Sequence, residues 1–294
     1  MSDTAIGNFQ VTRVVEQSIP FTPARQFFPD LTEEMLATCI RDLPAGQFSD
    51  KGELMMSFHA FVVRTGRYTI VVDTCCGNDK DRRFRPIFSH LTTDFMPALR
   101  AANVRPEEVD FVMCTHLHWD HVGWNTQLVN GQWVPTFPNA RYIMSRKEFE
   151  HWDRVYQSGV LNNHTLAFRD SVEPIARARQ AVLVEDDYEL DNGIWVEPCP
   201  GHTPGNFVIN VASKGQQGVI TGDVIHHQVQ LRFPEMSTTA DDDKDLARTT
   251  RTALIERHAD TGHLLLPAHF PAPSVGRIVS SPTGGFRYDT SDRS

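Results

Sequence analysis

Short apolar runs alternate with stretches of helical period along this chain, and the alternation predicts an α/β protein. Residues 9–15 form the opening strand. Residues 55–63 and 68–72 read as a hairpin around Arg64-Thr65-Gly66-Arg67, because two β-rich runs joined through a glycine turn favour antiparallel pairing. Further strands are expected at 109–114, 194–198, 207–211 and 219–221, with a last apolar run at 264–266. Helical spacing marks 31–41, 93–102, 146–156, 167–179 and 241–258. Thr32 followed by Glu33 and Glu34 is a helix start. The acidic opening Asp241-Asp242-Asp243 suits the positive end of a helix dipole and is read as capping, not as chemistry. Strands first, then alternating strands and helices, then the same again, fit two mixed sheets between helices. No repeat, low-complexity block or linker interrupts the 294 residues, so 1–294 is read as a single domain with an N-terminal excursion at about 17–50. That excursion either covers a site or makes a subunit contact, which leaves a homodimer open; the rival reading is a surface decoration packing its own phenylalanines.

The densest chemistry directly follows the run 109–114. Thr115-His116-Leu117-His118-Trp119-Asp120-His121 places three imidazoles and one carboxylate within six positions. One tetrahedral ion that also keeps a water cannot use all four, so the crowding points to two metals sharing one loop. Imidazole with carboxylate suits zinc or a similar borderline divalent ion. In an extended loop His116 and His118 point the same way and can grip one ion. As the chain turns into a helix, Asp120 and His121 can face the other.

Three later elements each end an apolar run. Pro200-Gly201-His202-Thr203-Pro204-Gly205 is a rigid turn holding a histidine, Thr221-Gly222-Asp223 ends one strand, and Pro267-Ala268-His269 ends another. Strand ends are where rigid elements position chemical groups.

This order, HxHxDH, then a histidine in PGHTPG, then TGD, then a late histidine, resembles the metallo-β-lactamase superfamily over residues 58–269. The resemblance implies an αββα four-layer sandwich with a metal site at one edge of the two sheets. It implies that His116, His118 and His202 bind one ion, that Asp120, His121 and His269 bind the second, and that Asp223 bridges them. Asp73, in Val71-Val72-Asp73-Thr74, is similar to the superfamily's first-strand aspartate, which supports a ligand histidine from behind; a simple turn role is the alternative. Two departures matter. The best-known zinc β-lactamases carry cysteine where Asp223 stands, so the chain looks like the branches with lactonases, thioesterases and organophosphate hydrolases. Lactonases of that group place a tyrosine three residues after the bridging aspartate, whereas this chain has His226, followed by His227.

Composition narrows the classes. Hydrophobic residues make up 40% and charged residues 22%, as in ordinary globular proteins. A net charge of −9 without a basic stripe argues against a nucleic-acid substrate and against the superfamily's RNA-processing branches. Five cysteines without CxxC spacing, in apolar surroundings, predict buried free thiols. Met1-Ser2-Asp3-Thr4 lacks a leader pattern, and no apolar stretch approaches the roughly 20 residues of a membrane helix. The expectation is a cytoplasmic protein with no membrane partner.

No Gly-x-Ser-x-Gly motif or serine triad is evident. The expected nucleophile is a hydroxide bridging two ions about 3.5–4 Å apart, zinc first, with manganese, cobalt or iron as alternatives. Asp120 or Asp223 would move the proton, and His226 would donate to the substrate carbonyl. Trp119, Trp124, Phe61 and Phe270 are candidates for an apolar pocket, with core packing the rival account for Trp124. Arg82, Arg83 and Arg85 read as a solvated loop in preference to an anion site. The leading expectation is a dinuclear metal-dependent hydrolase acting on a small hydrophobic substrate, a lactone or other carboxylic ester. The alternatives are an organophosphate triester hydrolase, a hydrolytic dehalogenase of an activated aromatic, and a non-catalytic zinc-sequestering or sensing module.

Overall fold

The computed structural model describes residues 3–291; Met1, Ser2 and residues 292–294, which the single-domain reading includes, lie outside the described residues. The chain divides into two compact units, Met1–Gln17 with Phe58–Tyr188, and Ser18–Ser57 with Glu189–Ser294.

The first unit is built on a seven-stranded sheet in the order Asp3–Ile6, Phe9–Pro23, Glu53–Arg64, Thr69–Val72, Phe111–Met113, Arg141–Ser145, Ala181–Val184. The expected hairpin forms, with Phe61 opposite Val72 and Arg64 opposite Thr69. The last four strands are parallel, pairing Ile70 with Phe111, Phe111 with Arg141 and Tyr142 with Ala181. Parallel neighbours need crossover connections, supplied here in part by the helices Phe95–Ala101 and Arg146–Gln157. Such strands are covered on both faces, which explains the unbroken apolar run Ile70, Val71, Val72, all buried. Because Thr69–Val72 and Phe111–Met113 run side by side in one direction, Asp73 and the residues after Met113 leave the sheet at the same end; the Asp73 amide donates to Met113 O at 3.0 Å.

The helix expected at 167–179 begins earlier and is interrupted. Asn162 caps Asn163–Ala167 in a reciprocal capping box with Thr165, a π-helical turn covers Phe168–Val172, and Glu173–Arg177 follows. Buried Asp170 lies in the π turn. It accepts from both terminal nitrogens of Arg82 at 2.7 and 2.9 Å. Arg82 is therefore not a solvated loop residue: it is fully buried in a bidentate pair. Its neighbour Lys80 is equally buried, with Nζ 2.6 Å from Thr126 Oγ1, 3.6 Å from Asp170 Oδ1 and 3.5 Å from the Trp133 ring centre. Arg83, by contrast, pairs with Asp81 at the surface.

The second unit carries a five-stranded sheet in the order Glu189–Asp191, Ile194–Pro198, Phe207–Ser213, Gln216–Ile220, Leu264–Leu266. It is antiparallel apart from the last pair, where Gly218 faces Leu264. Val208, Val219, Leu254, Ile255, Leu265 and Phe270 form its core. The helix Glu33–Asp42 lies in the excursion, and Thr32 caps it by accepting from the Met35 amide. The helix Lys244–His258 is capped by Asp243. All five cysteines are buried and unbonded, as their surroundings predicted. Among the described residues no helix is long and apolar enough to cross a membrane.

Lys80 generates a test. Burial lowers its pKa to about 7, with Asp170 opposing the shift. In the unfolded chain a lysine titrates near about 10.4. Between these values the unfolded state binds the extra proton, so the fold gains stability as pH rises from about 7 toward 10. Unfolding free energies at pH 7, 8 and 9 should climb more steeply for the natural protein than for Lys80→Met. Parallel curves for the two would show that Lys80 stays charged throughout.

Candidate metal centre

Asp73 begins the first cluster. Its φ is 54°, a left-handed conformation that aspartate tolerates better than most residues. The carboxylate accepts from the Thr115 amide and hydroxyl, both at 2.8 Å, and lies 2.9 Å from His121 Nδ1. Thr115 Oγ1 is also 3.1 Å from His116 Nδ1. The hydroxyl proton goes to the carboxylate, so the His116 ring must donate to the hydroxyl oxygen. A carboxylate only accepts, so His121 also carries its proton on Nδ1. One acid thus sets the tautomer of two imidazoles and keeps the lone pair of each on Nε2.

The loop is clamped from two sides within the first unit. The Leu117 amide and the Trp152 indole both donate to buried Glu148 Oε1, at 3.1 and 2.7 Å. Gly123 and Trp124 donate their amides to Cys75 O and Thr74 O at 2.7 and 2.8 Å. That approach needs glycine: a Cβ on Gly123 would lie 1.9 Å from Cys76 O. Glu16 ties both segments, accepting from the Cys76 and Gly77 amides at 2.8 and 3.1 Å and from Trp124 Nε1 at 2.7 Å. The result holds the His116 ring 4.6 Å from His118 and 4.1 Å from His121. His118 also meets Trp152 and the partly buried His164, with the latter ring 4.0 Å away. Asp120 is partly exposed.

The second cluster centres on Asp223, in the turn Gly222–Val224 after the strand Gln216–Ile220. Its Oδ2 lies 3.3 Å from His202 Nε2 and 3.2 Å from His226 Nε2, and its Oδ1 lies 3.0 Å from His269 Nε2. All four residues are buried. His202 sits in a turn packed against the start of Lys244–His258; a Cβ on Gly201 would meet the Ala247 amide nitrogen at 2.2 Å. His202 Nδ1 is 3.1 Å from Asp241 Oδ1. Burial pushes the Asp241 carboxyl up, but hydrogen bonds from His202 and the Thr238 amide work against it, and the carboxyl is held at about 2. Asp241 is therefore not a capping charge, a role that Asp243 fills; it is the buried acceptor that orients His202. His269 Nδ1 faces the Ser57 carbonyl at 3.2 Å, so it too must carry its proton there.

The donor set fits a divalent cation. His202 and His269 have their Nδ1 protons committed to acceptors, so each turns an Nε2 lone pair toward a carboxylate at 3.3 and 3.0 Å. Two acceptors that close require a cation or an added proton between them. Protonating every ring would gather several imidazolium charges in a buried cluster, which desolvation opposes. Imidazole nitrogen and carboxylate oxygen are the ligands that zinc and its neighbours take.

His226 belongs to this cluster and is neither exposed nor turned beneath the sheet. Its ring packs edge-on against Phe27 and nearly parallel to His269, 6.0 Å away. Burial pushes its pKa down, with Asp223 opposing. His227 is spent on structure: Nε2 meets Gln47 O and Nδ1 accepts from the Val229 amide. The four apolar pocket candidates are packed inside their units. Trp119 lies against Phe58 and Phe88, and Trp124 stacks on Phe95 while bonded to Glu16. Phe61 meets His59, and Phe270 meets Tyr288. Arg85 is half-buried, lowered by burial with Asp120 opposing. Sequence reasoning missed Asp241, Glu148 and His164, whose partners lie 39, 31 and 46 positions away.

The model of the metallo-beta-lactamase superfamily matches residues 59–269. An N-acyl homoserine lactonase of Bacillus sp is 28% identical over 111 residues, 37% of this chain and 35% of that protein. An N-acyl homoserine lactonase of Bacillus cereus is 23% identical over 158 residues, 54% of each chain. The matches thus span about a third to a half of the length of these curated relatives. Among solved structures, hydrolase AbOPH of the beta lactamase superfamily aligns with a TM-score of 0.82 at 25% identity, over 98% of this chain and 96% of that one. AidC, a dizinc quorum-quenching lactonase, aligns at 0.78 with 21% identity over the same shares. These likenesses bear out the fold class expected from the sequence.

Asp73→Asn probes the orientation argument. The amide replaces one acceptor oxygen with a donor that faces existing donors, so the fold should lose about 1–3 kcal/mol. Metal affinity should fall roughly 10- to 100-fold. Calorimetric melting and competitive chelator titration measure the two effects. Unchanged metal affinity in a folded variant would rule out Asp73 as the residue that orients His116 and His121.

Proposed function

This chain belongs to the metallo-beta-lactamase superfamily, and from that premise we propose that it is a metal-dependent hydrolase using two divalent ions, zinc first, on a small hydrophobic lactone or other carboxylic ester. The observation that carries the reading is the convergence of His202, His226 and His269 on Asp223 at 3.0 to 3.3 Å. A zinc-sequestering module would need no such carboxylate with imidazoles on both its oxygens. The curated relatives named as N-acyl homoserine lactonases support carbon over phosphorus as the centre attacked.

We assign His116, His118 and His202 to one ion, Asp120, His121 and His269 to the second, and Asp223 to both. Ions so held would supply an activated water nucleophile and a Lewis acid for the substrate oxygen. The chain's own groups do the rest. Asp73 and Asp241 hold the ligand rings in the Nδ1-protonated form. Asp120, the most exposed of the set, takes the proton of the attacking water on its carboxylate and returns it to the leaving alkoxide. His226 stays neutral because it is buried; with Nε2 turned toward Asp223, its Nδ1, which makes no hydrogen bond among the described residues, is the nitrogen that would carry the proton and donate to the substrate carbonyl oxygen. A tyrosine hydroxyl would offer the same donor, so the histidine changes the reach of this contact and not its kind.

Three expected outcomes test the reading. Elemental analysis of protein purified without chelator should give about two ions per chain. Asp223→Ala should remain folded and lose at least 100-fold in turnover, about 2.7 kcal/mol of barrier. A fully active preparation with one ion per chain would end the dinuclear proposal. A panel of acyl homoserine lactone, aryl ester, phosphotriester and chloroaromatic substrates should rank a lactone or ester first; a phosphotriester ranking first would transfer the site to phosphorus.

His226→Ala should lower kcat roughly 10- to 1000-fold, the range from a modest hydrogen bond to a full oxyanion donor. Metal content should hold. Unchanged kcat on the best substrate in an intact two-ion enzyme would remove His226 from the reaction; lost metal would make it a positioning residue of Asp223.

A further inference from the structure

The first unit contains a cavity of about 630 Å³ whose lining includes Trp133, Tyr156, Arg169, Glu173, Pro174 and Arg177. None of these residues belongs to the metal-ligand set or to the loops that clamp it. The volume falls within the roughly 300–1,000 Å³ typical of small-molecule sites. We propose that this cavity is a second binding site, for a planar aromatic ring carrying a carboxylate.

Two aromatic side chains and a proline form its apolar walls, which suit a flat ring. The charges select its substituent. Arg169, Glu173 and Arg177 stand four residues apart along the helical segment that includes the π turn, so they share one face. Arg177 is paired with Glu173 at 2.7 Å. Arg169 pairs with no carboxylate among the described residues, and it lies in the π turn Phe168–Val172. Interruptions of that kind are frequent at functional sites, because they redirect side chains that a regular helix would place elsewhere.

Lys80 Nζ lies 3.5 Å from the Trp133 ring centre, and Arg82 and Lys80 together face the single carboxylate of Asp170. The cavity lining itself holds two guanidinium groups, Arg169 and Arg177, against the one carboxylate of Glu173, in a chain whose net charge is −9. A guanidinium without an internal partner offers the two parallel N–H bonds that a carboxylate takes.

Isothermal titration of the metal-loaded protein with 1-naphthoate tests the proposal, with uncharged 1-naphthamide as the control. Naphthoate should bind saturably and at least tenfold more tightly than the amide. Arg169→Gln, at an exposed position and outside the metal set, should fold normally, keep hydrolytic activity, and erase most of the preference for the acid. Trp133→Leu should weaken both ligands. Naphthoate binding that survives Arg169→Gln and disappears on chelation would place the ligand at the metal centre and overturn the proposal. Equal affinity for acid and amide, or no binding of either, would overturn it as well.

Discussion

A carboxylate taken out of water must be met by donors or cations, or it costs the fold several kcal/mol, and this requirement organises the interior. Asp73 meets two donors from Thr115 and one from His121. Glu148 meets the Leu117 amide and the Trp152 indole, and Asp170 meets the Arg82 fork. Asp241 meets the Thr238 amide and His202. Each of these acids joins segments distant in sequence and is satisfied by ordinary donors. Asp223 differs, since ring nitrogens surround it and two of those rings have already given their Nδ1 protons elsewhere. The same accounting that makes the other four structural supports the proposal that Asp223 holds a cation.

That accounting connects sheet topology to chemistry. Parallel pairing of Thr69–Val72 with Phe111–Met113 brings Asp73 and Thr115 out of the sheet together. The close approach of Gly123 to Cys76, tied by Glu16, leaves the loop no room to drift. This loop is held by backbone and by buried acids, so its rings are already oriented and, on the proposed reading, little ordering would remain for an ion to impose.

The motifs proposed to hold metal were legible because they are local. HxHxDH, PGHTPG and TGD each place their residues within a few positions, and each follows an apolar run long enough to predict a strand. The hairpin and the Thr32 cap were legible for the same reason, since turn and cap chemistry act over two to four residues. What could not be read depends on partners far along the chain. Arg82 looked like a solvated loop residue because its carboxylate stands 88 positions away. Asp241 looked like a cap because three acids open a helix there, and only the fold reveals that the third caps while the first turns inward to His202. The π turn at Phe168–Val172 leaves no mark in a pattern of apolar spacing, because one extra residue in a turn merely shifts the phase.

The way nitrogens are spent separates the histidines of this chain more sharply than their spacing does. His227 uses both nitrogens internally, donating to Gln47 O and accepting from Val229. His258 and His263 face each other through Nδ1 at 3.1 Å, a geometry that demands a donor on one ring and an acceptor on the other. Those are structural uses, and they require mixed tautomers. His116, His121, His202 and His269 follow a single rule instead. Each gives the proton on Nδ1 to an acceptor, respectively Thr115, Asp73, Asp241 and Ser57, and each keeps its lone pair on Nε2. Two clusters, one in each unit, have no packing reason to choose the same tautomer at all four rings. Metal ligation, as proposed, would require that choice, and the acceptors that impose it are a hydroxyl, two carboxylates and a backbone carbonyl, each within its own unit.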